Sequence, residues 1–183
     1  ILIKNIAYQE KRKILGLSYN IFINELITPD SWEVKNLMRN VLYDPSDMYD
    51  VASKIGTKVS RLIPWDSDTN LGNSITDYYL EPNETIARLR GDCEDHAFVV
   101  SSCHPELGGA WGFYLDSTGS MYGHAFNVFI YNNELYVLDT SPNPPKIVKY
   151  EEDKCGYRIH YIITKECTFQ VKPGPSFGKV AEW

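Results

Sequence analysis

The sequence predicts an α+β fold, because apolar residues recur at helical spacing before residue 104 and the strand patterns follow it. The chain has 183 residues, of which 43% are hydrophobic. That size and composition suit one globular domain with a substantial core. We therefore expect a single domain over residues 1–183, with helices packed on an antiparallel sheet.

Three helices are predicted in the N-terminal part, residues 1–62. The first extends from Tyr8 to Leu26 and is ended by Pro29. Asp30 caps the second, with Glu33 three residues later as in a capping box. The third runs from Ser46 to Leu62. The predicted buried side of the second helix consists of Trp32, Val34, Leu37, Met38, Val41 and Leu42.

Residues 63–83 are rich in Pro, Gly, Asn and Asp, which is typical of a long irregular segment. Such a segment either lines a cleft or serves as a surface connection. A short helix over Glu84–Leu89 follows it. A mostly apolar and therefore buried helix then begins at Cys93 and ends at Cys103, before Pro105.

The rest of the chain has strand patterns. Asn132 and Asn133 predict a hairpin turn, because Asn tolerates positive φ. The predicted strands are Ala110–Leu115, His124–Tyr131, Glu134–Leu138, Tyr157–Ile163 and Thr168–Val171.

The net charge of −6 gives no reason to expect a nucleic-acid partner, since phosphate binding requires a basic surface. The cluster Lys11-Arg12-Lys13 is interpreted as a solvated helix face. No apolar run approaches the length of a membrane-spanning helix. The chain begins at Ile1 and not at Met, so we expect it to be processed or trimmed.

Four cysteines, Cys93, Cys103, Cys155 and Cys167, do not form a dense disulfide pattern. A bridge between Cys155 and Cys167 is permitted by the even count but not required. The compartment therefore stays open, with a soluble cytoplasmic location slightly favoured. The oligomeric state cannot be read from the sequence.

Cys93 occupies the predicted first turn of a buried helix, directly after Gly91-Asp92. Backbone N–H groups at a helix N-terminus favour a thiolate and can hold an oxyanion. Glycine at 91 permits a sharp entry turn, because it has no Cβ to clash. The carboxylates of Asp92, Glu94 and Asp95 oppose a thiolate, although acidic residues in these positions also stabilise a helix start. A thiolate at neutral pH would need a compensating partner, for which an imidazolium is the natural choice.

Of the four histidines, His124 suits that partner because it opens a strong strand after Gly123. His96 lies within the buried helix, His104 ends it, and His160 falls inside another strand. Asp139 ends the strand that returns from the Asn132-Asn133 turn. The hairpin predicts that residues 124 and 139 are near cross-strand neighbours, where a carboxylate fixes the imidazole tautomer.

Three segments together resemble the transglutaminase-like cysteine peptidase superfamily, notably its bacterial members. They are residues 91–97 (GDCEDHA), 123–128 (GHAFNV) and 137–141 (VLDTS). Asp77-Tyr78-Tyr79 with Pro82, Glu84 and Thr85 also resembles the segment before the cysteine in bacterial members. The resemblance covers about residues 75–141, which would be the catalytic core, with residues 142–183 adding sheet strands.

The resemblance implies a papain-like α+β core with a Cys93-His124-Asp139 triad. The thiol would attack a peptide or carboxamide carbonyl and form a thioester. Family members use an upstream side chain as second oxyanion donor, for which Tyr79 and Trp65 are the candidates. No cofactor is required, but some bacterial relatives depend on calcium. Asp92, Glu94 and Asp95 occupy comparable positions and are the calcium candidates.

A hydrolase that acts on a protein or peptide substrate is favoured, because a small domain with an open cleft leaves water as the abundant acceptor of the acyl group. One alternative is a true transglutaminase, in which an amine captures the same acyl-enzyme. Another is a non-enzymatic binding domain on an inherited fold, since a fold alone does not fix function. The presence of all three triad residues speaks against the binding domain.

Overall fold

The computed structural model describes residues 2–3, 10–14, 17–21, 23–67, 79–151 and 154–171. Within these ranges, four α-helices pack on an antiparallel sheet, which confirms the predicted α+β fold. None of the described helices is long and apolar enough to cross a membrane. Residues 68–78, including Asp77 and Tyr78, lie outside these ranges.

The sheet has seven strands among the described residues, in the order β1-β9-β8-β4-β5-β6-β7, and every pair is antiparallel. Its strands are β1 (Leu2–Ile3), β4 (Gly108–Leu115), β5 (Met121–Tyr131), β6 (Glu134–Asp139), β7 (Lys146–Lys149), β8 (Tyr157–Ile163) and β9 (Thr168–Gln170). The sequence prediction missed β7, a short strand between proline-rich and acidic segments.

The helix predicted over Tyr8–Leu26 is wrong. This region forms a separate hairpin of β2 (Glu10–Ile14) and β3 (Leu17–Ile21), followed by a 3₁₀ turn over Ile23–Leu26. Leu17, Tyr19 and Ile21 alternate with polar residues, and this period of two was the overlooked signal. The Lys11-Arg12-Lys13 cluster accordingly lies on a strand and not on a helix face.

The other predicted helices are present: α1 (Trp32–Met38), α2 (Met48–Leu62), α3 (Pro82–Arg88) and α4 (Cys93–Cys103). The cap of α1 is Ser31 and not Asp30, because the Ser31 hydroxyl accepts the Val34 N–H. Trp32 and Leu42 were predicted to be buried, but they are 72% and 85% exposed. The first turn of α1 points Trp32 away from the core, and Leu42 lies beyond the helix end.

Alternating residues of β5 divide between the two faces of the sheet. Phe129 packs in the core formed with α2 and α4, whereas Phe126 and Val128 belong to a cluster with Tyr157 and Ile159 of β8. His124 shares the face of Phe126 and Val128, because it is separated from them by even numbers of residues. The opposite face carries helix α4.

Gly112 lies where the β4–β8 register shifts between Trp111 and Gly112. Trp111 opposes Tyr161 and Gly112 opposes Ile159, so β8 has one extra residue at a β-bulge. A Cβ on Gly112 would overlap the carbonyl oxygen of Arg158. Only glycine allows the two backbones to approach this closely at the bulge.

We predict that Gly112→Ala lowers the free energy of unfolding by about 3 kcal/mol, because the obstacle is backbone and cannot rotate away. Urea unfolding followed by circular dichroism would measure the change. Gly108→Ala on the same strand is the matched control, since its nearest contact is a side-chain methyl group of Ile162 at 3.2 Å. Equal losses in the two variants would contradict the explanation.

Candidate active site

Cys93 is the first residue of α4, as the sequence predicts. Asp92 caps this helix through a reciprocal capping box with Asp95. The Asp95 carboxylate also accepts the Leu80 N–H at 2.8 Å, which ties the helix start to the segment before α3. A Cβ on Gly91 would lie 2.7 Å from the Asp95 Cβ, so glycine is needed for this close packing.

His124 and Asp139 are in direct contact. His124 Nε2 donates to Asp139 Oδ2 at 2.8 Å, and both side chains are largely buried. Asn127 opposes Leu138 in the β5–β6 ladder, so Phe126 faces Asp139 one step further along. His124 is then the diagonal neighbour of Asp139. The turn at Asn132 and Asn133, both with positive φ, sets this register as predicted.

The contact changes the acid–base properties of both groups. Burial alone would lower the pKa of His124, but Asp139 and the adjacent Cys93 side chain raise it to about 10. Burial would raise the pKa of the Asp139 carboxyl, but the His124, Ser141 and Tyr157 donors hold it below its usual value. At neutral pH the pair is therefore an imidazolium beside a carboxylate.

Tyr157 was missed as a site residue in the sequence analysis. Its hydroxyl donates to Asp139 Oδ2 at 2.9 Å, and its ring is stacked with the His124 ring at a centroid distance of 6.3 Å. The only sequence signal was a tyrosine at the start of a predicted strand, and this does not distinguish a site residue from a core residue. Burial and the charge of Asp139 raise the pKa of Tyr157, so its hydroxyl stays a donor.

Glu94 lies directly beside the nucleophile candidate. The Cys93 thiol donates to Glu94 Oε2 at 3.1 Å, and Glu94 is only 5% exposed. The Cys93 side chain therefore has the Glu94 carboxylate on one side and the His124 ring as its other polar neighbour.

Asp92, Glu94 and Asp95 were the predicted calcium ligands. Both oxygens of Asp95 accept backbone N–H groups, from Leu80 and Asp92. Within the described ranges, no group of three or more His, Cys, Asp or Glu side chains is arranged to hold a metal ion. The structure thus places the three carboxylates around the helix start, where Asp95 stabilises the fold through its two backbone hydrogen bonds.

The two oxyanion candidates lie in different places. Trp65 forms an isolated bridge with Gly91, two residues before Cys93, and is 56% exposed. Tyr79 packs edge-on against Phe98, in a cluster that includes Ile23 and Leu26. The structure thus brings the backbone of Trp65 towards the nucleophile candidate, and it packs the ring of Tyr79 against the second turn of α4.

Two further polar residues join α4 to the strands. The His96 ring donates from Nδ1 to the carbonyl of Thr140 at 3.0 Å, and burial lowers the pKa of His96. Asn127, fully buried on β5, donates to the carbonyl of Ala97 and the hydroxyl of Ser101, both at 3.0 Å. These bonds fix the helix relative to the His124–Asp139 hairpin. A polar residue inside an apolar strand was the available signal for Asn127.

All four cysteines are free thiols, so the permitted Cys155–Cys167 bridge is absent. Thr164 and Cys167 form a local contact, and the Cys155 thiol donates to the Tyr157 carbonyl. The site chemistry therefore does not depend on a disulfide in this structure.

Family comparison agrees with this architecture. Residues 4–166 match the model of the transglutaminase-like domain family, so the chain belongs to that family. No curated protein sequence matches the chain.

Solved structures of LapG from Legionella pneumophila have a similar fold. The calcium-bound form is 21% identical, with 80% of this chain and 82% of that chain covered and a TM-score of 0.56. A second structure is 20% identical, covers 87% and 92%, and has a TM-score of 0.54. The EGTA-treated form is 20% identical, covers 82% and 84%, and also has a TM-score of 0.54. At this identity the likeness establishes the fold alone.

The raised pKa of His124 predicts a specific pH dependence of stability. Since its pKa rises from 6.5 to about 10 on folding, the stabilisation is complete below pH 6.5 and is lost as the pH rises towards 10. The difference in unfolding free energy between wild type and His124→Gln should shrink over that interval. Urea unfolding at several pH values would measure it.

His104→Gln is the control for this prediction, because burial lowers the pKa of His104 instead of raising it. This variant should keep the alkaline loss of stability seen in the wild type. Parallel pH profiles for wild type and His124→Gln would contradict the assignment.

Proposed function

We propose that this transglutaminase-like protein is a cysteine-nucleophile hydrolase that cleaves a peptide or carboxamide bond through a thioester. The observation that carries the proposal is the His124–Asp139 pair, charged at neutral pH and adjacent to Cys93 at a helix N-terminus. Family membership supports an acyl-transfer reaction, and the burial of the pair supports general acid–base work.

The reaction begins with the Cys93 thiolate and the His124 imidazolium. Sulfur adds to the substrate carbonyl carbon, and the carbonyl electron pair moves to oxygen. When this pair returns, the carbon–nitrogen bond breaks and His124 gives its proton to the leaving amine. Neutral His124 then takes a proton from water, whose oxygen attacks the thioester. When the resulting tetrahedral intermediate collapses, the carbon–sulfur bond breaks, which releases the carboxylic acid and regenerates the Cys93 thiolate.

Asp139 has a supporting role in this sequence. Its Oδ2 accepts the Nε2–H of His124, which leaves Nδ1 as the nitrogen that exchanges a proton with Cys93. Its negative charge stabilises the imidazolium that is present before amine protonation and that forms again when His124 takes a proton from water. The N–H groups at the start of α4 would hold the oxyanion, with Trp65 or Tyr79 as the candidate second donor.

We predict that Cys93→Ala abolishes cleavage of casein or a quenched peptide, whereas Asp139→Asn lowers kcat by roughly a thousandfold or more. A fluorescent primary amine in a parallel reaction tests transamidation. The matched control is Cys103→Ala, which removes another thiol of the same helix. Amine incorporation that depends on Cys93 but occurs without cleavage would replace the hydrolase by a transglutaminase.

If the wild type is inactive in both reactions, a thiol probe distinguishes an inactive site from an active site with a narrow substrate range. If Cys93 is not alkylated faster than Cys155 at neutral pH, the site lacks an activated thiol. A binding role on this fold would then be favoured.

We propose calcium as the metal that this helix start would bind. One LapG structure is described as calcium-bound, and carboxylate oxygens are the ligands that calcium prefers. Asp92 and Glu94 would hold the ion, because both oxygens of Asp95 already accept backbone N–H groups. A bound cation would offset the carboxylate charge beside the Cys93 sulfur.

We predict that EGTA treatment lowers activity at least tenfold and that calcium, but not magnesium, restores it. Calorimetry should detect calcium binding to wild type and not to Asp92→Asn. Glu134→Gln, which removes an exposed carboxylate of β6, is the control. Activity that is unchanged by EGTA would reject calcium without affecting the proposed hydrolase.

A further inference from the structure

Asp139 receives more hydrogen bonds than a triad carboxylate needs to hold a histidine. Its Oδ1 accepts the Ser141 N–H at 3.0 Å, while Oδ2 accepts both His124 Nε2 at 2.8 Å and the Tyr157 hydroxyl at 2.9 Å. Of these donors, Ser141 belongs to the turn that follows Asp139, and His124 is the other member of the acid–base pair. Tyr157 is different, because it comes from β8, which is separated from β6 by β4 and β5 in the sheet.

We propose that Tyr157 is a positioning residue that acts through Asp139 on His124, and this inference rests on the proposed function. Its hydroxyl fixes Oδ2 in the orientation that takes the Nε2 proton and leaves Nδ1 facing Cys93. The hydroxyl also stabilises the ionised form of Asp139. The hydroxyl donates to Asp139 and not to Cys93, so its effect on the reaction is indirect.

The position of the hydroxyl is fixed by the packing of its ring. Tyr157 is 1% exposed, and its ring centroid lies 4.9 Å from that of Phe126 and 5.2 Å from that of Tyr114. Because close-packed aromatic rings rotate little, the hydroxyl has few alternative positions. A rigid donor on Oδ2 prevents rotation of the carboxylate.

Lys146 adds an electrostatic contribution. Its ammonium lies 4.9 Å from the centroid of the Tyr157 ring and 5.3 Å from that of Tyr114. Lys146 is also the residue opposite Asp139 in the β6–β7 ladder. A cation over the ring withdraws electron density from it, which makes the phenol a stronger hydrogen-bond donor.

A role in core packing alone does not explain this arrangement. Phenylalanine would fill the same volume without placing a hydroxyl in the interior, where it must find a partner. The partner is a carboxylate that is already bonded to a histidine. The hydroxyl therefore adds a constraint to the acid–base pair.

The test compares Tyr157→Phe with Tyr114→Phe, assayed with a peptide that the wild type cleaves. Tyr114 is the matched control, since it belongs to the same aromatic cluster but does not donate to Asp139. We expect Tyr157→Phe to lower kcat about tenfold with KM within about twofold of wild type, because one hydrogen bond to a charged group is lost. Tyr114→Phe should keep the wild-type kcat.

The pH dependence separates positioning from packing. Since the Tyr157 hydroxyl helps to hold the pKa of Asp139 low, its removal should move the acidic limb of kcat/KM to higher pH. ¹³C NMR of the Asp139 carboxyl should show the same upward shift in Tyr157→Phe and none in Tyr114→Phe. A wild-type profile in Tyr157→Phe, or equal losses in both variants, would overturn the proposal.

Two outcomes keep this test distinct from that of the proposed function. If Cys93→Ala is as active as wild type, the hydrolase proposal fails, but the Asp139 titration still decides whether Tyr157 holds the carboxylate. If Tyr157→Phe does not fold, the contact can be tested in the wild type by NMR. Its Tyr157 hydroxyl proton should give a slowly exchanging NMR signal that changes as Asp139 becomes protonated, and a rapidly exchanging hydroxyl would contradict the contact.

Discussion

The burial of helix α4 is the constraint on which the rest of the structure depends. All of its residues from Glu94 to Ser102 are buried, and it packs against three helices and two strands. At its N-terminal end the Asp92–Asp95 capping box satisfies the backbone N–H groups of Asp92 and Asp95. The same box fixes the helix start against Leu80. Cys93 is therefore held at one position relative to the sheet. A side chain on a mobile loop would not be fixed in this way.

The sheet supplies the complementary half of the site. A two-residue turn fixes the register of β5 and β6, and this register makes His124 and Asp139 diagonal neighbours. Asn127 then anchors the same strand to α4 from the opposite face. Because adjacent residues of a strand point to opposite faces, one strand can hold the histidine on one side and the helix on the other. The pleat accounts for the His124–Asp139 contact, and the position of Cys93 at the N-terminal end of α4 brings its sulfur next to His124.

Much of this arrangement could be predicted from local patterns. The helix at Cys93, the Asn132-Asn133 turn and the strand of His124 each had a signal within a few residues, and their combination predicted the His124–Asp139 contact. The β2–β3 hairpin was misread because its apolar residues fit both a helical and an alternating period. Tyr157 could not be found in this way, since its contact with Asp139 depends on the order of strands in the sheet. Long-range pairings leave no periodic signal in the sequence.

The short sequence distance within the β5–β6 hairpin has a consequence for how the chain folds. His124 and Asp139 are 15 residues apart, and hairpins form in about 1–10 μs, because closing a short loop costs little entropy. Cys93 belongs to a helix that packs against three other helices and two strands, most of which are distant in sequence. We expect the His124–Asp139 pair to form early during folding and the Cys93 sulfur to come into contact with it last. A partly folded chain would then carry an ordinary, slowly reacting thiol, which pulsed alkylation during refolding would detect. Reactivity at Cys93 would thus appear only in chains whose core has closed.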